Sequence, residues 1–380
     1  MHKLKYHCHL WFPDLFKATG GIQRYSSFCF KAFQNLYPNF NYDIFIKHDT
    51  HVPPASPDLH FHVGGRWPLS LRTQVFASQL IGFGVWQHPQ LVFSSHLNFT
   101  PAAHQLKQLT GTPYWTIAHG IDAWNIQNPA LKTALHHADR ILAGSHYTRD
   151  RLLREQNLDP EKVLVLPNTF DADNFQIAPK PDRLLKRYGL KPEQPIILTV
   201  ARLSQSEQYK GYDKILTALP QIRQAIPNVH YILVGKGDDK PRIEELIAKY
   251  QLQDCVTLTG FVSDEELSSY YHLCDLFAMP SKAEGFGIVY LEALACGKPT
   301  LGGNQDGAQD ALCHGELGAL VDPDDVEAIA QTIIQILQGI YPNPLMYQPQ
   351  ALRDRVINRF GFERFQKTLG GYLEKHFESV

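Results

Sequence analysis

LFAMPSKAEGFGIVYLEALACGKPTLGG (Leu276–Gly303) reads as strand, glycine-rich turn, helix and strand. Leu276–Ser281 is a short apolar run, Glu284 to Gly287 a flexible turn, and a helical pattern starts at about Ile288. The helix stops at Cys296-Gly297, where Gly, Lys and Pro follow in the order that a C-terminal stop prefers. Pro299–Gly303 returns to strand character. The same alternation extends upstream. PIILTVARL (Pro195–Leu203) is a strand, YDKILTALPQI a helix with Tyr212, Ile215, Leu216 and Leu219 on one face, and VHYILVGKG (Val229–Gly237) a strand. PRIEELIAKY, VTLTGFV and SDEELSSYYHLC continue it, and DDVEAIAQTIIQIL is a helix after PTLGG. Strands alternating with helices of this length predict a parallel, doubly wound α/β sheet. Ligands of such sheets sit at the carboxyl ends of the strands. Those ends are Arg202, Gly235, Gly260–Val262, Ser281–Gly287 and Gly302-Gly303.

The first half repeats the pattern less cleanly, with strand-like runs at YHCHLWF, YDIFI, LVFSSHL, YWTIAHG, RILAGS and KVLVLPN. Thr169–Gln194, rich in Pro, Lys and Asp, is the expected hinge, its LLKRYG portion packing with the second domain. RFGFERFQKTLGGYLEKHF reads as one terminal amphipathic helix. At 380 residues two domains are expected.

Composition excludes several classes. With 44% apolar and 19% charged residues and a formal charge of −2, the chain has no bulk basic field for nucleic acid or for strong attraction to anionic lipid. The start, MHKLKYHCHLWFPDL, lacks the apolar run of a signal peptide, and no segment approaches about 18 consecutive apolar residues. Six scattered cysteines without C-x-x-C predict reduced, mostly buried thiols and a cytoplasmic location.

A glycine-rich turn feeding a helix offers backbone N–H groups and the positive end of a dipole to a phosphate. Gly285, Phe286, Gly287, Ile288 and Val289 are the expected donors, with Phe286 itself expected to pack. Glu284 and Glu292 bracket that turn and can grip hydroxyl groups on either side of a phosphate. A nucleotide-sugar has that order of groups. Arg202 and Lys210 lie at and beyond a strand end, where a guanidinium fork and an ammonium clamp a diphosphate. The insert LSQSEQY between them has no contact assignable from sequence. A glycosidase acid/base pair is disfavoured, because Glu284 and Glu292 on one helix would stand about 12 Å apart, against roughly 5–9.5 Å for paired hydrolase carboxylates. Separate roles follow, Glu292 for ribose hydroxyls and Glu284 for the transferred sugar. Solvated surface glutamates are the plain alternative. VGKGDDK contains G-x-G, but Lys240 replaces the third glycine and the strand is not the first of its domain, so nicotinamide binding is disfavoured.

Taken in order, GGIQRY (Gly20–Tyr25), HG (His119-Gly120), VLPNTFD (Val165–Asp171), ARL…KGYD (Ala201–Asp213), VGKGD, GFV (Gly260–Val262) and EGFGIVYLE (Glu284–Glu292) resemble the retaining glycosyltransferases of family 4, with the GT-B fold. The resemblance spans nearly the whole chain. It implies two Rossmann-like domains facing a cleft, at residues 1–175 and 176–357, and a terminal helix, 358–380, crossing back to the first. It also implies a hexosyltransferase in which His119 lies near the donor sugar, Val262 offers backbone to the base edge, and configuration is retained. Gly20-Gly21 makes a loop where backbone can approach the donor phosphate or the acceptor; an ordinary turn is the alternative, as a structural histidine is for His119.

No cofactor is expected, and Arg202 and Lys210 are expected to replace a divalent metal. That expectation takes the chain to contain no Asp-x-Asp motif that could hold a divalent cation against the diphosphate. Catalytic candidates are thus Glu284, His119, Arg202 and Lys210. UDP-glucose is the first donor expected and GDP-mannose the second, with a saccharide or lipid-linked saccharide as acceptor. A sugar phosphorylase and a non-catalytic nucleotide-sugar-binding protein are the competing readings. Fourteen of the 18 histidines precede residue 150. His7 and His9 share a strand face, but without a downstream partner a metal site is disfavoured. GGRWPLSLRTQVF, with Arg66, Trp67 and Arg72, is a candidate for peripheral contact with lipid headgroups on the inner membrane face; an exposed helix start explains it equally. Oligomeric state is not legible.

Overall fold

The computed structural model describes residues 6–16, 20–54 and 57–378. The first five residues of the stretch tested as a signal peptide fall outside them. The chain divides into two compact units, Met1–Thr169 with Glu363–Val380, and Phe170–Phe362. Among the described residues no helix is long and apolar enough to cross a membrane.

The first unit holds a seven-stranded sheet: β1 (His7–Phe12), β2 (Asn41–Ile46), β3 (Leu59–Val63), β4 (Leu91–Ser94), β5 (Tyr114–Ala118), β6 (Arg140–Ala143) and β7 (Val163–Val165). Every pairing is parallel, in the order β3-β2-β1-β4-β5-β6-β7. The second unit holds β8 (Ile196–Val200), β9 (His230–Val234), β10 (Val256–Gly260), β11 (Leu276–Met279), β12 (Thr300–Gly303) and β13 (Ala319–Val321). They too are parallel, ordered β10-β9-β8-β11-β12-β13. Strand order reverses between β1 and β4 in one unit and between β8 and β11 in the other. These are the switch points where doubly wound sheets open a binding site.

Two strands were not foreseen. β3, LHFHV, is a half-exposed edge strand whose alternating histidines hide its apolar character. β13 has only three residues. In the second unit two apolar layers flank the sheet, one around Leu198, Phe277, Tyr290 and Leu294, the other around Ile215, Leu219, Leu233 and Ile333. LLKRYG lies in the helix Asp182–Tyr188, and its Leu184 and Leu185 join the first layer. All six cysteines are free, and all but Cys313 are buried.

The single terminal helix is corrected to two. The helix Pro349–Phe360 ends at Gly361, whose extended backbone (φ −62°, ψ 159°) bridges to Phe170 before Phe362–Phe377 begins. An extended residue cannot carry the helical hydrogen-bond ladder forward. The last helix buries Phe365, Leu369, Leu373 and Phe377, one face at helical spacing. Phe365 meets Tyr25 edge-on at 5.5 Å, and Phe377 meets Tyr37 and Phe40 at 5.3 and 5.1 Å. Replacing Leu369 by Ala should therefore destabilise the first unit by about 2–5 kcal/mol, read as a lower denaturation midpoint for a probe in that unit. An unchanged midpoint would show the helix to be dispensable there.

Candidate functional site

In the second unit the residues read as a clamp, Arg202 and Lys210, lie at the switch point with Glu284. Arg202 follows β8 and Glu284 follows β11, so the reversal of strand order brings their loops side by side. Between them Gln205–Lys210 makes short 3-10 turns that meet at a kink at Glu207, a residue that the sequence did not single out. The Glu207 carboxylate pairs through Oε1 with the Arg202 guanidinium, and its Oε2 lies 3.7 Å from Lys210 Nζ. Lys210 Nζ also binds Glu284 Oε1 at 2.5 Å. The result is a row of alternating charge, Arg202, Glu207, Lys210, Glu284. Lys210 and both carboxylates are largely buried, whereas the Arg202 side chain is 80% exposed. Two cations thus stand beside two carboxylates, and Glu207 tethers both cations. Its place three residues before Lys210 is the helical pairing distance, the one signal that could have found it.

A second unforeseen carboxylate supports Glu284 from beneath. Asp306 is fully buried; its Oδ2 accepts from Glu284 N–H and Ser281 Oγ, each at 2.7 Å, and its Oδ1 from Ala308 N–H at 2.9 Å. Gly307 N–H donates to Glu284 O at 2.9 Å. A Cβ at Gly307 would stand 2.1 Å from Gly285 O, so only glycine allows this approach. Gly287, at φ +87°, is the N-cap of the helix Ile288–Ala295, and no side-chain hydrogen bond caps that end among the described residues. The backbone of Gly285 to Val289 therefore runs from the Glu284 carboxylate into a helix N-terminus, as an anion site requires. Phe286 points the other way, buried and edge-on to Phe360 at 5.4 Å.

Glu292 is not a solvated glutamate. It is 1% exposed and accepts from the Tyr271 hydroxyl at 2.7 Å. Val262 follows β10, half-buried against the apolar layer, beside Phe261, whose exposed ring lies 4.8 Å from Lys236 Nζ. The G-x-G of VGKGD has a packing origin: a Cβ at Gly235 would meet Ala201 O at 1.8 Å. The two glycines let the loops after β8 and β9 touch.

The first unit gathers its own set. Gly20 precedes and Gly21 opens the helix Gly21–Leu36. Tyr25 of that helix meets the His119 ring edge-on at 5.1 Å and donates to Leu166 O at 3.1 Å, joining GGIQRY, HG and VLPNTFD. His119 Nε2 lies 2.7 Å from Ser95 O, an acceptor only, so Nε2 carries the proton. His119 and Gly120 N–H both bond Asp122 Oδ1, at 3.0 and 2.8 Å. The ring is held in a strand-to-loop turn with a defined tautomer.

One assumption of the metal-free reading needs correction. The chain does contain Asp-x-Asp triplets, at Asp171–Asp173 and Asp322–Asp324. Both are engaged locally: Asp171 accepts from Asp173 N–H and Asn174, Asp322 from Asp324 N–H and Gln305, and Asp324 pairs with Lys282 at 2.8 Å.

Burial pushes the Asp306 carboxyl up to about 7, the Glu284 charge adding to it while the three donors oppose. Above its unfolded value, such a group gives the folded state an extra proton, so its stabilisation is complete at low pH and lost as pH rises towards 7. Asp306→Asn lacks this titration. The variant's stability deficit should therefore be greater at pH 5 than at pH 8 by about 2–3 kcal/mol, at about 1.4 kcal/mol per pH unit. Parallel stability curves for the two proteins across that range would disprove the assignment.

Comparison with known proteins places these features. Residues 20–174 match the family model Glycosyltransferase Family 4, and residues 182–345 match Glycosyl transferases group 1. A GDP-mannose-dependent alpha-(1-6)-phosphatidylinositol monomannoside mannosyltransferase of Mycolicibacterium smegmatis is 33% identical over 234 residues, 58% of this chain and 59% of that one. The chain spans 51–59% of the length of such mycobacterial relatives. A 2-deoxystreptamine glucosyltransferase of Streptomyces kanamyceticus is 26% identical over 72% of both chains. Among solved structures, sucrose-phosphate synthase of Thermosynechococcus elongatus superposes with a TM-score of 0.79 at 22% identity, covering 99% of this chain and all of that one. That likeness shows the GT-B fold. With two successive family models matched along most of its length, the chain belongs to the GT-B glycosyltransferases of family 4.

Proposed function

We propose that the chain is a retaining, metal-independent glycosyltransferase that moves a hexose from a nucleoside-diphosphate sugar to a saccharide or lipid-linked saccharide. The observation that carries this is the row Arg202, Glu207, Lys210, Glu284 beside a helix N-terminus at the switch point of the second sheet. Breaking the bond from sugar C1 to the diphosphate leaves an electron pair, and negative charge, on a β-phosphate oxygen. Arg202, Lys210 and the backbone of Gly287–Val289 are the groups to receive that charge. Fixed donors of this kind are worth about 3–4 kcal/mol each when lost. The acceptor hydroxyl forms the new bond to C1 and passes its proton to the departing phosphate, with attack on the same face. Glu284 takes a hydroxyl of the transferred sugar and Glu292 the ribose. In this reading Gly20, Gly21 and His119 serve the donor from the first unit, and Val262 offers backbone to the base.

GDP-mannose is the donor favoured by the mycobacterial relative, which depends on it. UDP-glucose, expected from the sequence, stands second, because the streptomycete relative is a glucosyltransferase. A thermal-shift and transfer screen across nucleotide-sugars, run with a chelator, decides both base and sugar. Lys210→Ala should abolish the nucleotide-induced shift and lower transfer by at least about 100-fold. Glu284→Gln should keep the shift and lose transfer. Phosphorolysis without a nucleotide would instead make the protein a phosphorylase, and binding without turnover a non-catalytic receptor.

A lipid-linked acceptor is supported by the mycobacterial relative's phosphatidylinositol substrate and by an apolar surface on the first unit. Trp67, Leu69 and Leu71 are exposed at the start of the helix Leu69–Gln87, Leu69 by 80%, and Trp86 is exposed near its end. Wild-type protein should co-sediment with anionic vesicles, and a Trp67→Ser, Leu69→Ser double variant should stay in the supernatant. Equal sedimentation of the two would remove the membrane from the proposal.

A further inference from the structure

The histidine cluster of the first unit has the partner that the sequence reading lacked. Register pairs His9 of β1 with Asp43 of β2, and Phe45 of β2 with His62 of β3. Period-two spacing then sets His7, His9, Asp43 and His62 on one face of three adjacent strands. Asp43 is 2% exposed, with Oδ2 2.7 Å from His7 Nε2 and Oδ1 2.5 Å from His62 Nε2. Gln87, the last residue of the helix Leu69–Gln87, closes the group. Its Nε2 donates to Asp43 Oδ2 at 3.1 Å, and its Oε1 lies 2.7 Å from His9 Nε2. Because that amide oxygen only accepts, His9 Nε2 carries the proton and Nδ1 is left as a bare lone pair. His9 is fully buried, and Nδ1 has no hydrogen-bond partner among the described residues.

A network built only of hydrogen bonds leaves this nitrogen unexplained, since buried polar atoms are as a rule satisfied. We propose that His7, His9 and Asp43 bind a divalent transition-metal ion of the zinc class. One donor atom of each lies within 4.8 Å of the other two. Bonds of about 2.0–2.2 Å to a tetrahedral ion need donors roughly 3.4 Å apart, so the three donors close in slightly on binding. The ion replaces the proton shared between His7 and Asp43. Imidazole nitrogens with one carboxylate suit zinc, cobalt or nickel rather than magnesium or calcium. His62 on the second carboxylate oxygen and Gln87 on the far nitrogen of His9 are the outer contacts that orient such ligands. The His7 side chain is 20% exposed, which gives the ion a route in and a water for its fourth position. The ion ties β1 to β2, and Gln87 links the end of the helix to two of its ligands.

The test uses the chelator-treated full chain titrated with Co²⁺, whose tetrahedral complexes absorb intensely, followed by Zn²⁺ competition. One Co²⁺ per chain should give ligand-field bands that Zn²⁺ abolishes. His7→Gln should lose them, and His62→Gln should weaken binding on the order of 10–100-fold. His7 is partly exposed, so its variant folds even if a buried His9→Gln does not. His104→Gln serves as control, being in a separate histidine pair with His137 at 4.5 Å. Absent bands, bands that survive His7→Gln, or bands lost in His104→Gln would each overturn the site.

Discussion

Parallel pairing is the constraint on which the rest depends. Parallel neighbours cannot be joined by a tight turn, so every strand must leave its sheet at the same edge and return through a crossover. All thirteen strands obey this, and each unit therefore collects its loops at one edge. The single reversal of strand order in each sheet then selects which loops lie next to one another. In the second unit the selected pair follows β8 and β11, and these carry Arg202 and Glu284. A chemically useful juxtaposition of residues far apart in sequence is thus a property of topology before it is one of side chains.

The charge row at that point is self-neutralising. Arg202 and Lys210 face Glu207 and Glu284, so each cation of the row stands beside a carboxylate. In the proposed function a phosphate oxygen would compete with a carboxylate for Lys210 rather than with bulk water. Asp306 adds a second layer, since its buried carboxyl holds the Glu284 turn by backbone and hydroxyl donors. The turn is rigid at its base and polar at its tip.

Much of this was legible in the sequence, because the signals were local. The turn Glu284–Gly287, the helix from Ile288 and the strand ends all follow from residues within one crossover. What escaped reading depends on contacts across many residues. Glu207 sits in an insert that looks like a polar loop, and only its bond to Arg202 and its approach to Lys210 give it meaning. Asp306 lies in NQDGAQD, where nothing local marks one aspartate as buried. Glu292 has the sequence context of a surface helix residue, yet a hydroxyl 21 residues upstream, on Tyr271, receives it inside the protein. β3 hid behind its histidines for the same reason: their partner, Asp43, is on another strand. Gly361 was read as part of one helix because the apolar spacing runs through it, whereas its backbone is extended.

The break at Gly361 also governs the order in which the molecule can be completed. The aromatic contacts of Tyr25, Tyr37 and Phe40 with the last helix belong to the first unit, but their partners Phe365 and Phe377 are synthesised after the entire second unit. During translation the second sheet can close on its own residues while the first waits with an uncovered apolar groove. On the ribosome the contacts of the amino-terminal unit with its last helix are therefore the last to form, whereas domains usually complete as they emerge.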